Sequence, residues 1–176
     1  PISKLANIGL YYIRDYQLLF EGIHHTLDAG LGPSGEFFLT DAFQYMVDHG
    51  ARIIPAPVNG FFDCGKPETL LETNRHLLLT GRSGIADSAI LEGSTVNDPV
   101  RVEEGAVVRN SVLGPNVTVE AGARVENSTV ADAILGSGSS IVGSTLHDSL
   151  VGSDSRVTAY RGALDIGDHS EVEGGR

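Results

Sequence analysis

From Ile85 to Val157 the chain sets an aliphatic residue every five or six positions: Ile85, Leu91, Val96, Val102, Val108, Leu113, Val119, Val125, Val130, Leu135, Ile141, Leu146, Val151 and Val157. The residue four places further on is mostly small or β-branched, as at Val117, Ala123, Thr129, Ser139 and Ser155. A period this short predicts a β-solenoid rather than a globule. A helical face at i, i+3, i+4 is absent. Gly, Ser, Val and Thr are also poor or indifferent helix formers, so the helix alternative is weak here.

A longer period lies over the short one. Residues 125–140, VENSTVADAILGSGSS, align with residues 141–156, IVGSTLHDSLVGSDSR, with six identities. Three rungs therefore make one unit: three short flat strands joined by tight turns, closing a triangular coil. Each rung points into a shared interior, and each coil buries its apolar edge only against its neighbours. Gly93, Gly105, Gly114, Gly122, Gly136, Gly143 and Gly152 fall near the turns, where the lack of a Cβ allows positive φ.

The first eighty residues follow another pattern. Ile8 to Ile13 is a β-branched and aromatic run that predicts a strand. Tyr16 to Ala29 carries Leu19, Ile23 and Leu27 at helical spacing and stops at Gly30. A second helix follows Thr40, read as its N-cap, with Phe43, Met46 and Val47 on one face and Gly50 at its end. Arg52 to Val58 predicts a strand that Pro55 and Pro57 confine to an edge. Pro67 opens a third helix running to about Leu79, with Leu70, Leu71, Asn74, Leu77 and Leu78 as its stripe. The order β-α-α-β-α is α/β grammar. Two strands are too few for such a sheet, so the others are expected upstream or from a partner. The domains expected are residues 1–80 and 85–172, with the boundary in Thr80 to Gly84.

Composition narrows the function. A hydrophobic fraction of 41% is that of an ordinary folded protein. No apolar run approaches the roughly 20 residues of a spanning helix, so a membrane partner is not expected. The start has no signal-peptide layout and no initiator Met, which suggests a piece of a longer or processed protein. The net charge is −11, with only Lys4 and Lys66 as lysines, which argues against non-specific nucleic-acid or anionic-membrane binding. The same balance suits either a high-salt environment or an ordinary acidic protein. The single Cys64 forms no internal disulfide, so a reducing cytoplasm is expected.

Three segments resemble the sugar-1-phosphate nucleotidyltransferases. Asn7-Ile8-Gly9-Leu10-Tyr11 is similar to that family's strand beside the sugar pocket. GEFFLTDAFQYMVDHG, Gly35 to Gly50, is similar to its G-E-x-x-[LI]-T-D helix. FFDCGKPETLLETN, Phe61 to Asn74, is similar to its W-x-D-x-G segment, with Phe61 in place of the usual Trp. With the repeat half, and with Leu164 to Val172 similar to its last segment, the chain resembles the long glucose-1-phosphate thymidylyltransferase type.

The resemblance implies a Rossmann-like α/β remnant followed by a left-handed parallel β-helix of hexapeptide-type repeats. It implies that a sugar-phosphate oxygen attacks the α-phosphorus of a nucleoside triphosphate, most simply glucose 1-phosphate on dTTP, and that pyrophosphate leaves. Such chemistry is mostly positioning and charge neutralisation. It further implies a Mg2+ cofactor with Asp63 as one metal carboxylate, and substrate contacts from Asn7, Gly9, Glu36 and Asp41. The family's Gly-rich nucleotide loop, first metal carboxylate and E-K-P segment are absent from these 176 residues. The chain is therefore expected to be a C-terminal part, inactive alone, in a homo-oligomer assembled through the coil.

Structural readings stand beside these. Asp63 in a turn before Pro67 can bond its own backbone. Glu36 and Asp41 can serve the start of a helix. Asn7 can be a polar edge residue. None of the six histidines has metal spacing. His147, on the coil, raises the alternative of a β-helix acyltransferase with a histidine base, and a pure oligomerisation scaffold is the third reading.

Overall fold

A computed structural model describes residues 6–32 and 35–175. The chain divides into two compact units, Pro1–Phe61 and Phe62–Arg176.

The first unit is built on two helices, α1 (Tyr16–Ala29) and α2 (Leu39–Asp48). Asp15 caps α1 by accepting the Leu18 N–H at 3.2 Å, and Gly30, at φ 82°, follows its end. The helices meet at Gly22, where a Cβ would lie 2.8 Å from the carbonyl oxygen of Ala42. Only a residue without a side chain permits that approach. Ala42 and Met46 are the buried apolar residues beneath it. Two expectations are corrected. The N-cap of α2 is Phe38, in extended backbone with no side-chain cap, and Thr40 already lies inside the helix. Ile8–Ile13 and Arg52–Val58 are not strands. A strand exists by sharing its backbone groups with a neighbour, and among the described residues no strand precedes Gly84 to supply one. Among the described residues the first unit therefore forms no sheet. Leu10, Tyr12 and Ile54 are left 81%, 93% and 68% exposed.

The second unit is the predicted solenoid, preceded by helix α3 (Pro67–Leu77). Strands of two or three residues form three parallel sheets of six, six and five strands, each strand pairing with its counterparts one coil away. In the first sheet Ile85, Val102, Val119, Leu135, Val151 and Ile166 are in register. In the second the column is Leu91, Val108, Val125, Ile141, Val157 and Val172. In the third it is Val96, Leu113, Val130, Leu146 and Gly162. From Val102 to Val157 every rung is at most 3% exposed. The rung pattern read from the sequence is this interior.

The coil length changes along the axis. Equivalent residues of successive coils lie 17 apart at the start, 16 in the middle and 15 at the end. The step from 17 to 16 arises at the corner joining the third sheet to the first, where Asn97–Pro99 and Gly114–Asn116 give way to the shorter Ala131–Asp132 and His147–Asp148.

The corner joining the second sheet to the third carries a hydrogen-bonded serine ladder. Ser111, Ser128 and Ser144 donate their N–H to the hydroxyls of Ser94, Ser111 and Ser128 at 3.1, 3.1 and 3.0 Å. Ser111, Ser128 and Ser144 turn their own hydroxyl protons to Arg109, Glu126 and Val142 carbonyls two residues back. Asn110 and Asn127 hold positive φ immediately before two of these serines, as Gly93 and Gly143 do before the others. Gly136 and Gly152, expected to serve positive φ, do not. Their role is close approach: a Cβ on Gly152 would lie 2.4 Å from the backbone nitrogen of Asp168.

At the C-terminal end Tyr160 takes the place of the serine, packs against the core and donates its hydroxyl to the Ala163 carbonyl at 3.0 Å. A Cβ on Gly162 would meet its ring at 3.8 Å. The aromatic ring therefore covers the interior where that rung has no side chain. Both ends of the coil stay partly open: Ile85 is 48% exposed at the first, and Ile166 and Val172 are half-buried at the last with no strand beyond them among the described residues.

A candidate functional site at the Asp63 turn

Asp63 sits in a tight turn ahead of α3. Its Oδ1 accepts the Gly65 N–H at 3.0 Å, the self-bonding expected of a turn aspartate. A Cβ on Gly65 would come within 3.1 Å of that oxygen. Among the described residues no donor engages the other carboxylate oxygen, and the side chain is exposed. Lys66 follows in extended backbone, and Pro67 opens the helix at the one position where its missing N–H is harmless. Two contacts fold the turn back along α3. The Cys64 thiol donates to Thr73 Oγ1 at 3.4 Å, and the Phe62 ring lies 4.4 Å from that of His76.

The opposite face of α3 belongs to the coil. Leu71, Asn74, Arg75 and Leu78 recur at helical spacing, with Leu71 8% and Leu78 1% exposed. The helix lies against the first sheet at Ala133–Leu135 and Ser149–Val151. Asn74 accepts from the Thr118 hydroxyl at 2.6 Å and donates to the Asn116 carbonyl at 3.3 Å. Arg75 gives Nε and Nη2 to Asp132 Oδ1 at 3.1 and 2.6 Å, and Asn116 Nδ2 donates to the same oxygen at 2.9 Å. Beyond Leu77 the chain leaves helical backbone at Thr80 and at Gly81, φ 99°. Packing thus places α3 with the coil.

The other candidates lie in the first unit. Asn7 Oδ1 accepts the Gly9 N–H at 2.9 Å, its amide donates to the Tyr11 hydroxyl, and Gly9 holds φ 79°. Glu36 is exposed. Asp41 is exposed in the first turn of α2, where a negative charge suits the helix dipole. Sequence reasoning passed over Arg75 and Asp132. The available signal was the aspartate recurring at Asp132 and Asp148 in the aligned repeats.

Among the described residues no group of three His, Cys, Asp or Glu gathers as a metal site. One free carboxylate oxygen fits a Mg2+ that takes one or two carboxylates and completes its shell with phosphate and water; it does not make a site by itself. His147 is exposed at a corner of the coil, with Asp148 beside it at 3.1 Å. Among the described residues no helix is long and apolar enough to cross a membrane. On the outer face of the second sheet, Arg109 lies 2.8 Å from Glu92 and 3.7 Å from Glu126. The hydrogen bond and charge of Glu92 hold its guanidinium above the ordinary arginine value.

With this fold and turn in place, the chain is a distant, partial homologue of the sugar nucleotidyltransferases. It is 34% identical over 108 residues to a glucose-1-phosphate thymidylyltransferase of Streptomyces griseus, covering 60% of this chain and 28% of that protein. It is 35% identical over 100 residues to a low-salt glycan biosynthesis nucleotidyltransferase of Haloferax volcanii, covering 53% and 26%. A glucose-1-phosphate thymidylyltransferase of Streptomyces antibioticus is 29% identical over 124 residues, covering 60% and 33%. The chain thus spans a third or less of these relatives. No protein-family model matches. A perosamine N-acetyltransferase of Caulobacter crescentus, solved with CoA and GDP-perosamine, aligns with 57% of this chain and 62% of its own at 19% identity and a TM-score of 0.38. A likeness that low carries no functional argument.

Proposed function

We propose that this chain is the C-terminal part of an enzyme that joins a sugar 1-phosphate to a nucleoside triphosphate, with glucose 1-phosphate and dTTP as the first substrates to test. The observation that carries the reading is the 34% identity over 108 residues to a glucose-1-phosphate thymidylyltransferase. The exposed Asp63 turn supports it. In the reaction a sugar-phosphate oxygen bonds to the α-phosphorus, the α–β bridging bond breaks, and pyrophosphate leaves with its electron pair. Magnesium, held by Asp63 together with substrate phosphates, supplies charge neutralisation. Asn7, Gly9, Glu36 and Asp41 contribute to holding the sugar, and the protein works as a homo-oligomer in a reducing cytoplasm.

The test is pyrophosphate release by the complete protein with dTTP, glucose 1-phosphate and Mg2+. Turnover is expected, and Asp63→Asn is expected to lower it by on the order of 10²-fold or more. Failure with every common nucleoside triphosphate and hexose 1-phosphate overturns the reading. The 176-residue chain by itself is expected to be inactive, having no Gly-rich nucleotide loop. Turnover by it alone overturns that part.

A further inference from the structure

We propose that the coil is the mount of the Asp63 turn, and that Asn74, Arg75, Asn116, Thr118 and Asp132 are positioning residues for it. The functional weight of the proposal rests on the reading of Asp63 given above; the mechanical part stands on geometry alone.

Helix α3 has two working faces. On one, Leu71, Asn74, Arg75 and Leu78 meet the coil. On the other, Thr73 and His76 hold Cys64 and Phe62, the two residues that flank Asp63. The residues that grip the turn are thus interleaved, one position away, with those gripped by the coil. Any rotation or fraying of the helix moves both contacts together.

The helix needs that grip. It is 11 residues long, and helices shorter than about 12–15 residues are marginal in water without packing. Its side-chain bonds to the coil reach partners 42, 44 and 57 residues away in sequence. They converge on one corner. Asp132 Oδ1 takes three N–H donors, two from Arg75 and one from Asn116. The planar guanidinium fixes orientation as well as distance, which a point charge would not. The corner itself is rigid: Asp132 donates its N–H to the Pro115 carbonyl at 2.9 Å, and its carbonyl accepts from Ser149 at 3.1 Å. A stiff coil corner, a two-faced helix and a turn folded onto that helix form one mechanical path.

The chain carries its own reporter. Cys64 is the single cysteine, is exposed, and lies next to Asp63. The experiment compares the native chain with Asp132→Ala, Arg75→Ala and the double variant, following Cys64 labelling by DTNB and amide exchange at Leu70, whose N–H bonds the Lys66 carbonyl across the first turn of α3. Exchange at Leu70 is expected to rise about tenfold in either single variant, equivalent to about 1.4 kcal/mol. Cys64 labelling is expected to quicken in parallel. The double variant is expected to match the singles, because one link is broken in all three. Asp132→Asn, which retains an acceptor oxygen, restores part of the protection.

Ser128→Ala, at another corner of the coil, loosens the solenoid without touching α3 and is expected to leave Leu70 exchange and Cys64 labelling at native values. Native-like behaviour in Asp132→Ala and Arg75→Ala overturns the mount, as does an equal rise in Ser128→Ala. These readouts need no turnover. An inert Asp63→Asn in the complete protein removes the functional reading and leaves the mount standing. Unchanged exchange beside an inactivating Asp63→Asn does the reverse.

Discussion

Ser128 and Ser139 are both buried serines of the coil, 5% and 0% exposed, and they predict opposite outcomes for one substitution. The Ser128 hydroxyl accepts the Ser144 N–H at 3.0 Å and donates to the Glu126 carbonyl at 2.7 Å. Ser128→Ala strands the Ser144 N–H inside a residue only 1% exposed. The Glu126 carbonyl fares better, since it also accepts the Gly143 N–H at 2.9 Å. One stranded buried donor costs about 1–3 kcal/mol. Ser139 is the reverse case, because its hydroxyl has no partner among the described residues. The same corner position is filled by Ala106 and Ala123 in earlier coils, both 0% exposed, so alanine fits that space. Ser139→Ala should therefore be neutral or stabilising by up to about 1 kcal/mol. The assay is urea unfolding with matched m-values, since repeat arrays need not unfold in two states. If Ser139→Ala costs as much as Ser128→Ala, hydrogen-bond accounting is not what sets stability in this coil.

Ile141→Ala, at a fully buried rung, is expected to cost about 2–5 kcal/mol in the same assay, whereas Ile85→Ala, at the open first coil, should cost well under half of that. Gly152→Ala should destabilise by about 1–3 kcal/mol or more, because its Cβ would press on the Asp168 backbone rather than on a movable side chain. Arg109 is held above its ordinary value by Glu92. A cation with a raised value stabilises below its unfolded value and loses that only as pH rises through the higher one. Its contribution should therefore stay flat across neutral pH and weaken with added salt, visible as a smaller effect of Arg109→Gln at 1 M than at 0.05 M NaCl.

The coil was legible because each strand contributes one inward aliphatic to a column, so a short period in sequence maps directly onto burial. The limits of α1 were legible for a similar reason: Gly30 follows its last residue, and its apolar spacing is regular. What failed was information that belongs to neighbours. Ile8–Ile13 and Arg52–Val58 have strand composition, but composition cannot supply a partner. Phe38 begins α2 because the chain turns helical before Thr40, and a threonine inside a first turn looks much like a capping one in sequence. The turns were read through glycine, although Asn110, Asn127, Asp132 and Asp148 carry the same positive φ with side chains attached. At the candidate site, Asp63 was visible from its motif. The grip of Asp132 on Arg75 was not, because it joins residues 57 apart that only the coil brings together.

Tyr160 has a consequence for self-assembly. A stack of parallel strands is a template, and a further copy laid on its last coil would continue every ladder. Here the Tyr160 ring stands at the end of the third sheet, beside a rung, Gly162, that has no side chain, while the other two sheets run on to Asp165–Ile166 and Glu171–Glu173. An incoming coil would meet a ring at that column and open strand edges at the other two. The ring therefore guards one of three columns, and end-on growth at this pole would have to pass it. Tyr160→Ala is where fibre formation should first be sought.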